Sequence, residues 1–505
     1  CSFIYFYRRN KTVRCISRGG LMALVMGGSS PVPLPLTVDD SCRFAEGDST
    51  MLEITPGSTT DAIRKTWTFS VWFKLGSFGD ISGERRIIFP RADASNYDDL
   101  WLQADDTLAY TSYTSGSTSI SMVTTQTFRD PAAWYHLVVA VDTTISSPTA
   151  DRVKIYINGT QVTSFSTETY PSQDDVTMMN SDSLTRIGNN DGTTYYDGYF
   201  SQLAMVTASQ LAATSFGEFD TDSPTIWKPK KISGLTFGTN GYFLDFADSA
   251  DFGNDVSGNG NDWSSSGLTA ADAATDTPTN NFCVMNILNN RITYPGWVSQ
   301  GNCKLTGGGD WGTWSGTMGA IKGKWYFEGK RISPANHNVL IGVVSENATQ
   351  NATNAGVNYL LGNASQYQGA GVFSNSGNSH PGSGATGGAW GTIFGNGVIV
   401  GVAFDLDNGK LYFSNAGTWM ASGDPESGAT GTGSMTNLTQ TGEFYFPSVG
   451  PYYNVTPDSI EGNFGGCSSF DVSSANQDAN GYGNFEYAVP SGYFALCSKN
   501  LAEYG

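Results

Sequence analysis

The sequence predicts an all-β protein of two β-sandwich domains joined by an acidic Gly/Asn/Asp-rich connector, and three observations lead there. The first is strand alternation. From Trp67 to Lys74, Trp67, Phe69, Val71 and Phe73 share one face, and Thr68, Ser70, Trp72 and Lys74 share the other. The second is punctuation: glycine supplies 61 of 505 residues, above the roughly 7% of average usage, and it falls at turn positions without a collagen period. The third is an aromatic content of 13%, enough to fill the cores of large β domains. A chain of 505 residues has room for two or three domains, because single cores stop growing at roughly 250 to 300 residues.

Residues 1–41 read as an N-terminal basic arm and a Pro-rich leader. Arg8, Arg9, Lys11, Arg14 and Arg18 sit in a stretch without acids, and Phe3 to Tyr7 is too short and too early for a secretory signal. Translation is expected to begin at Met22, with 1–21 either upstream reading frame or an arm of no defined fold. Residues 42–222 form the first sandwich. Trp134 to Asp142 repeats the alternation, and Val153, Ile155 and Ile157 share a face before the Asn158-Gly159 turn. Helical spacing shows only near Ser209 to Thr214. Residues 223–282 are the connector, where Asp245, Asp248, Asp251, Asp255 and Asp262 recur among Asn and Gly. Gly241 to Trp263 is expected to pack on a domain and Thr269 to Thr279 to run loose. Residues 283–466 form the second sandwich, centred on a hairpin. Val398, Val400, Val402 and Phe404 alternate with Ile399, Gly401, Ala403 and Asp405, and Asn408-Gly409 turns the chain into Lys410 to Ser414. Residues 467–505 are a C-terminal closing segment.

Only 14% of residues are charged, and the net charge is −19 with a pI near 4.4. So acidic a chain is repelled by phosphate backbones, which excludes nucleic acid as a partner. An anionic surface polysaccharide could be reached only through neutral hydrogen bonds, stacking or a bridging divalent cation. No apolar run approaches 18 residues, so membrane insertion is not expected. The seven cysteines contain no C-x-x-C pair and give no disulfide framework; buried free thiols are the expectation.

Three resemblances add to these readings. The blocks from Trp67 to Lys74, Ala133 to Asp142, Val153 to Gly159, Arg186 to Asn190 and Tyr195 to Val206 resemble, in order, the laminin G-like or concanavalin A-like lectin jelly roll. From Gly323 onward the chain resembles the B30.2/SPRY family, itself a concanavalin-like sandwich. Its opening matches Gly323 to Glu328, its central block Gly401 to Phe413, its P-x-V Pro447 to Val449 and its N-F-G Asn463 to Gly465. The connector, from Gly238 to Ser249 and Asp255 to Trp263, and the closing Val489 to Leu501 are similar to segments of bacteriophage tail or virion surface proteins. Together these imply two concanavalin A-like jelly-roll sandwiches on a virion.

Enzymatic chemistry finds little support. Jelly-roll glucanases carry paired carboxylates on one strand as E-x-D-x-x-E, and no such run occurs. Glu328 reads as the opening landmark of the second sandwich. Asp405 and Asp407 precede a tight turn, which Asp supports. His136, His337 and His380 form no metal motif and read as surface or partly packed residues, and no G-x-S-x-G elbow is present. Calcium is the cofactor the sequence points to, through Asp248, Asp251, Asp255 and Asp262 in the connector and Asp191 and Asp197 near the late strands of the first sandwich. Sugar stacking needs aromatic faces ringed by polar groups. Tyr110 and Tyr113, Tyr195 and Tyr196, and Trp311 and Trp314 stand in such loops.

The expected function is non-enzymatic. It is adhesion of a phage tail or tail-fibre protein, by multivalent weak contacts, to bacterial surface glycan or another host receptor. The expected partners are bacterial surface carbohydrate, other virion proteins and further copies of the chain in a homo-oligomer. The alternative is a capsid decoration or tail spacer making protein contacts, and polysaccharide hydrolysis stands third.

Overall fold

The computed structural model describes residues 36–57, 59–76, 84–289, 297–307, 314–332, 339–346, 369–374, 379–380, 390–436, 438, 442–451 and 458–505. It also describes two short N-terminal strands, Cys15–Ser17 and Gly20–Met22, which pair antiparallel. The rest of the basic arm, with Cys1, and most of the Pro-rich leader lie outside these residues, as do Trp311 and His337. The chain divides into a unit of residues 1–37 and a compact body, Val38–Gly505, that holds both sandwiches.

The first sandwich stacks two antiparallel sheets of eight strands each. In the first sheet the order is Thr160–Gln161, Val153–Ile157, Trp134–Asp142, Thr66–Leu75, Gly198–Thr207, Ser41–Phe44 and Ala273–Ala274, with Tyr242–Leu244 also on Gly198–Thr207. In the second it is Phe165–Thr169, Ser117–Thr127, Thr107–Thr114, Asn96–Leu102, Arg85–Asp93, Leu184–Ile187, Met51–Ile54 and Ser264–Ser266. Trp67, Phe69, Val71 and Phe73 fill the core between them, with Leu100, Leu102, Leu108 and Tyr110 from the facing sheet. The second sandwich centres on Lys324–Ile332, flanked by Ile399–Asp405 and Ser459–Asn463, and faces a sheet built on Tyr445–Pro451 and Val339–Ser345. Trp325, Phe327, Ile341, Val402 and Phe404 form its core. The protein is all-β, as the alternation predicts. Among the described residues no helix is long and apolar enough to cross a membrane.

The outer face of Thr66–Leu75 departs from a solvated strand face, since every residue after Thr66 is buried. Trp72 and Val138 lie under Phe216 and Trp227, beyond the last strand of the jelly roll. His136 occupies this layer, fully buried and not on the surface. Its ring stacks on Trp72 at 4.7 Å and Trp227 at 5.8 Å. Trp227 Nε1 donates to its Nδ1 at 3.0 Å, so Nε2 carries the proton toward Ser70 Oγ at 2.9 Å. Burial lowers the imidazole to about 3, so the folded state resists protonation of a group that titrates near 6.5 when unfolded. The stability held by the neutral ring is complete above pH 6.5 and is lost as pH falls toward 3. Relative to His136→Gln, stability is therefore expected to fall by roughly 2 kcal/mol from pH 6.5 to 5. Paired urea titrations check this; parallel pH profiles for the two proteins would show that the ring is not buried neutral.

The connector follows expectation in its first part and breaks it in its second. Tyr242, Leu244, Phe246, Phe252 and Trp263 are buried in the first core. Thr269 to Thr279 does not run loose. Thr269 and Asp272 close a capping box, and Ala273–Ala274 adds a strand beside Ser41–Cys42. Asp272 pairs with Arg43 at 2.8 Å, and Asp276 pairs with Lys74 at 2.6 Å with both side chains at 1% exposure or less. The sheet strands carry two cations that need buried counter-charges, and this stretch of connector supplies them. Thr275 and Asp276 also donate backbone N–H groups to Gly466 O of the second sandwich.

The closing segment is fastened through Glu328. Fully buried, its carboxylate accepts Glu486 N at 2.9 Å, Tyr487 N at 2.8 Å, Tyr326 Oη at 3.0 Å and Asn463 Nδ2 at 3.2 Å. Burial pushes it up to about 7 against the pull of these donors. Phe494–Ala495 pairs parallel with Lys324–Ile332, and a final helix spans Ser498–Tyr504.

Candidate carbohydrate-binding face

Asn96–Leu102 lies in the second sheet of the first sandwich, and its pleat sends alternate side chains to opposite faces. Leu100 and Leu102 enter the core, and Asp98 points the same way, receiving Tyr110 Oη at 3.2 Å and Met179 N at 3.0 Å. Tyr97, Asp99 and Trp101 take the outer face. Across the sheet Tyr97 is in register with Tyr113, and their rings stack at 5.3 Å. Phe89 lies against Tyr97 at 5.8 Å. Arg86, in register with Trp101, lays its guanidinium over that indole at 5.4 Å.

The polar groups on this face are mutually satisfied. Arg86 grips Asp99 through Nε at 3.0 Å and Nη2 at 2.9 Å, and Nη1 pairs with Glu84. Burial pushes Asp99 up to about 7, the Arg86 fork draws it back, and Glu84 adds to the rise. Arg186 pairs with Glu53 at 2.8 Å and with Asp191 at 3.2 Å, and Arg91 also pairs with Asp191. The result is a half-buried aromatic row, Tyr113, Tyr97 and Trp101, beside fixed hydrogen-bonding groups in which three arginines meet four carboxylates. Such a surface suits the C–H face and hydroxyls of an uncharged sugar.

Of the expected aromatics among the described residues, only Tyr113 stands on this face. Tyr110, three residues earlier, has the opposite parity and is core. Tyr196 is core too: its ring stacks on Phe200 at 4.3 Å and its hydroxyl donates to Lys74 O at 3.1 Å. Trp314 is fully buried in the second sandwich. Tyr195 is half-buried, bridging to Asn189 through its backbone. Tyr97, Asp99, Trp101 and Arg86 escaped sequence reading, which sought aromatics in Gly/Ser loops. The signal was there in the alternate positions of Tyr97 to Trp101, an aromatic-acid-aromatic row opposite an Asp-Leu-Leu row.

The six carboxylates expected to bind calcium are not gathered. Asp248 Oδ1 accepts Ala250 N at 2.9 Å and Asp251 Oδ1 accepts Gly253 N at 3.1 Å. Asp255 takes Phe243 N and Ser257 N on one oxygen, and Ser257 Oγ and Asn261 N on the other. Asp262 Oδ1 accepts Asp255 N. These oxygens are engaged by nearby N–H and O–H groups, which is how Asp serves turns. Asp191 is held by its two arginines, and Asp197 is buried elsewhere, accepting Gly301 N at 2.9 Å. Among the described residues no group of three or more His, Cys, Asp or Glu is placed to hold a metal ion.

The remaining candidates read as structural. Asp405 accepts Asn408 N and Nδ2 and pairs with Lys324 at 3.1 Å, and Asp407 accepts Gly323 N, so both brace turns. Cys42, Cys283, Cys303, Cys467 and Cys497 are buried free thiols. His380 falls in the short strand Ser379–His380, its side chain outside the described set.

The first sandwich has a lectin-like fold. Residues 46–212 match the family model described as the concanavalin A-like lectin/glucanases superfamily, Laminin_G_3. No curated protein matches the sequence. Among solved structures, the SPRY domain of human HERC1 aligns at 13% identity, covering 37% of this chain and 99% of that one, with a TM-score of 0.26. A heptameric SAP-like pentraxin from Limulus polyphemus aligns at 13% identity over 35% of this chain and 80% of that one, also at 0.26. Domain 4 of a GH43 extracellular arabinanase from Geobacillus stearothermophilus, in complex with arabinotriose, aligns at 17% identity over 29% and 63%, at 0.23.

Proposed function

We propose that this protein binds a surface glycan through the outer sheet face of its first sandwich. The observation that carries the reading is the row Tyr113, Tyr97 and Trp101 beside the Glu84, Arg86 and Asp99 cluster. In this reading the protein acts without catalysis: Asp99 and Glu84 are both committed to Arg86 and so hold a surface rather than attack a bond. The setting proposed is a bacteriophage virion, at the tail or a tail fibre, adhering to bacterial surface carbohydrate. The connector and closing segments support that setting by their resemblance to phage surface proteins. One sugar face gives weak binding, and many copies on a particle supply avidity.

Recombinant full chain is expected to bind host cells saturably and to be displaced by their purified surface polysaccharide. Absence of binding, together with tight incorporation into particles, would instead establish the capsid-decoration or tail-spacer alternative. Release of reducing ends from the polysaccharide would establish a hydrolase.

A further inference from the structure

The turn Gln300-Gly301-Asn302, between Trp297–Ser299 and Lys304–Thr306 of the second sandwich, docks onto the first. Gly301 N donates to Asp197 Oδ1 at 2.9 Å, and Gly301 O accepts Tyr199 Oη at 2.8 Å. Asn302 Nδ2 donates to Leu75 O at 3.2 Å, and Gln300 Nε2 to Asp48 Oδ2 at 2.8 Å. Each of the two amide side chains spends one N–H on these bonds, and acceptors are left over. Asp197 Oδ2, Gln300 Oε1 and Asn302 Oδ1 are each buried without a hydrogen-bond donor. Asp197 and Asn302 are themselves 1% and 0% exposed. Glu46, half-buried, lies within the electrostatic reach of Asp197 and adds a fourth oxygen-bearing side chain. The guanidiniums nearest this seam, Arg43 and Arg85, are held by Asp272 and Asp106.

Buried acceptors without donors call for a partner the chain does not supply, a bound water or a cation. The set is all oxygen, carboxylate and amide carbonyl, which is the donor chemistry of a hard divalent cation and unlike that of zinc or copper. We propose that Asp197, Gln300, Asn302 and Glu46 hold one calcium ion in the seam between the two sandwiches, with water completing its shell. The ion fixes the second sandwich on the first and is independent of the sugar face. Of the six carboxylates expected to bind calcium this site uses only Asp197, because its other ligands come from distant segments and two of them are amides.

The test uses the full chain stripped with EGTA and then titrated with calcium or terbium. One calcium is expected to bind, with Tm rising on the order of 3 °C at saturating calcium. Terbium luminescence sensitised by Tyr199 or Trp134 should appear with the same stoichiometry. Asp197→Asn and Gln300→Ala should abolish both signals; Glu46→Gln should weaken them and serves where Asp197→Asn does not fold. Asp248→Asn and Asp251→Asn should change neither. No calcium-dependent shift and no luminescence would mean that water alone fills the seam. Signals that survive Gln300→Ala and Glu46→Gln, or that vanish with the connector variants, would overturn the assignment equally.

Discussion

Replacing Lys74 by Met is expected to destabilise the protein by about 3 to 5 kcal/mol, the usual cost of removing one member of a buried ion pair. Lys74 Nζ contacts Asp276 Oδ2 at 2.6 Å, Asn281 Oδ1 at 2.7 Å and Phe282 O at 3.2 Å, with no exposed surface. Its loss strands Asp276, which keeps Trp134 Nε1 at 2.9 Å and Phe282 N at 3.2 Å on its other oxygen. Those two donors carry no full charge, so they offset only part of the penalty. Urea unfolding measures the loss, and limited proteolysis should show new cleavage between Thr269 and Phe282. Adding Asp276→Leu to Lys74→Met should restore part of the stability, because removing both charges is cheaper than leaving one. A Lys74→Met protein as stable and as protease-resistant as the wild type would refute the clasp.

Trp101→Ala is expected to weaken glycan binding by about 2 kcal/mol, roughly 30-fold in Kd. The indole offers sugar-stacking area and also positions Arg86, whose guanidinium lies over it. Trp101 is half-buried on an outer face, so its removal should cost less stability than truncation of a core tryptophan. Tyr97→Ala should behave alike, since it holds Tyr113 in the stack. Tyr110→Phe supplies the contrast. It removes the hydroxyl donated to buried Asp98 and should lower stability by about 1 kcal/mol without touching affinity. Equal glycan affinity for wild type and Trp101→Ala, in proteins with matched melting curves, would remove this face from consideration.

The two sandwiches were legible because alternation is local: one strand's side chains declare its faces without knowledge of its neighbours. What covers those faces is not local. The outer side of Thr66–Leu75 reads as polar through Thr68, Ser70 and Lys74, yet it is buried by Trp227, His136 and the connector. Lys74 is the available clue, since a cation in a sheet strand with no acid within five residues needs a partner from elsewhere. The face proposed for glycan is half legible. Tyr113 was found from its loop, whereas Tyr97 and Trp101 become visible only when parity is followed along Asn96–Leu102. Acidic spacing in the connector counts oxygens but not the N–H and O–H groups that claim them, as Asp255 shows with four donors.

The connector strands also bear on synthesis. Ser41–Phe44 and Met51–Ile54 each need a neighbour that the ribosome delivers more than 200 residues later, Ala273–Ala274 on one and Ser264–Ser266 on the other. Until those arrive, a nascent first sandwich presents two open strand edges, the surfaces through which β proteins pair wrongly with one another. A chain stopped at 222 would keep those edges permanently, and a chain carried through Phe282 would close both and supply the buried acids that Arg43 and Lys74 await. The smallest self-sufficient folding unit of the first half is thus longer than its jelly roll.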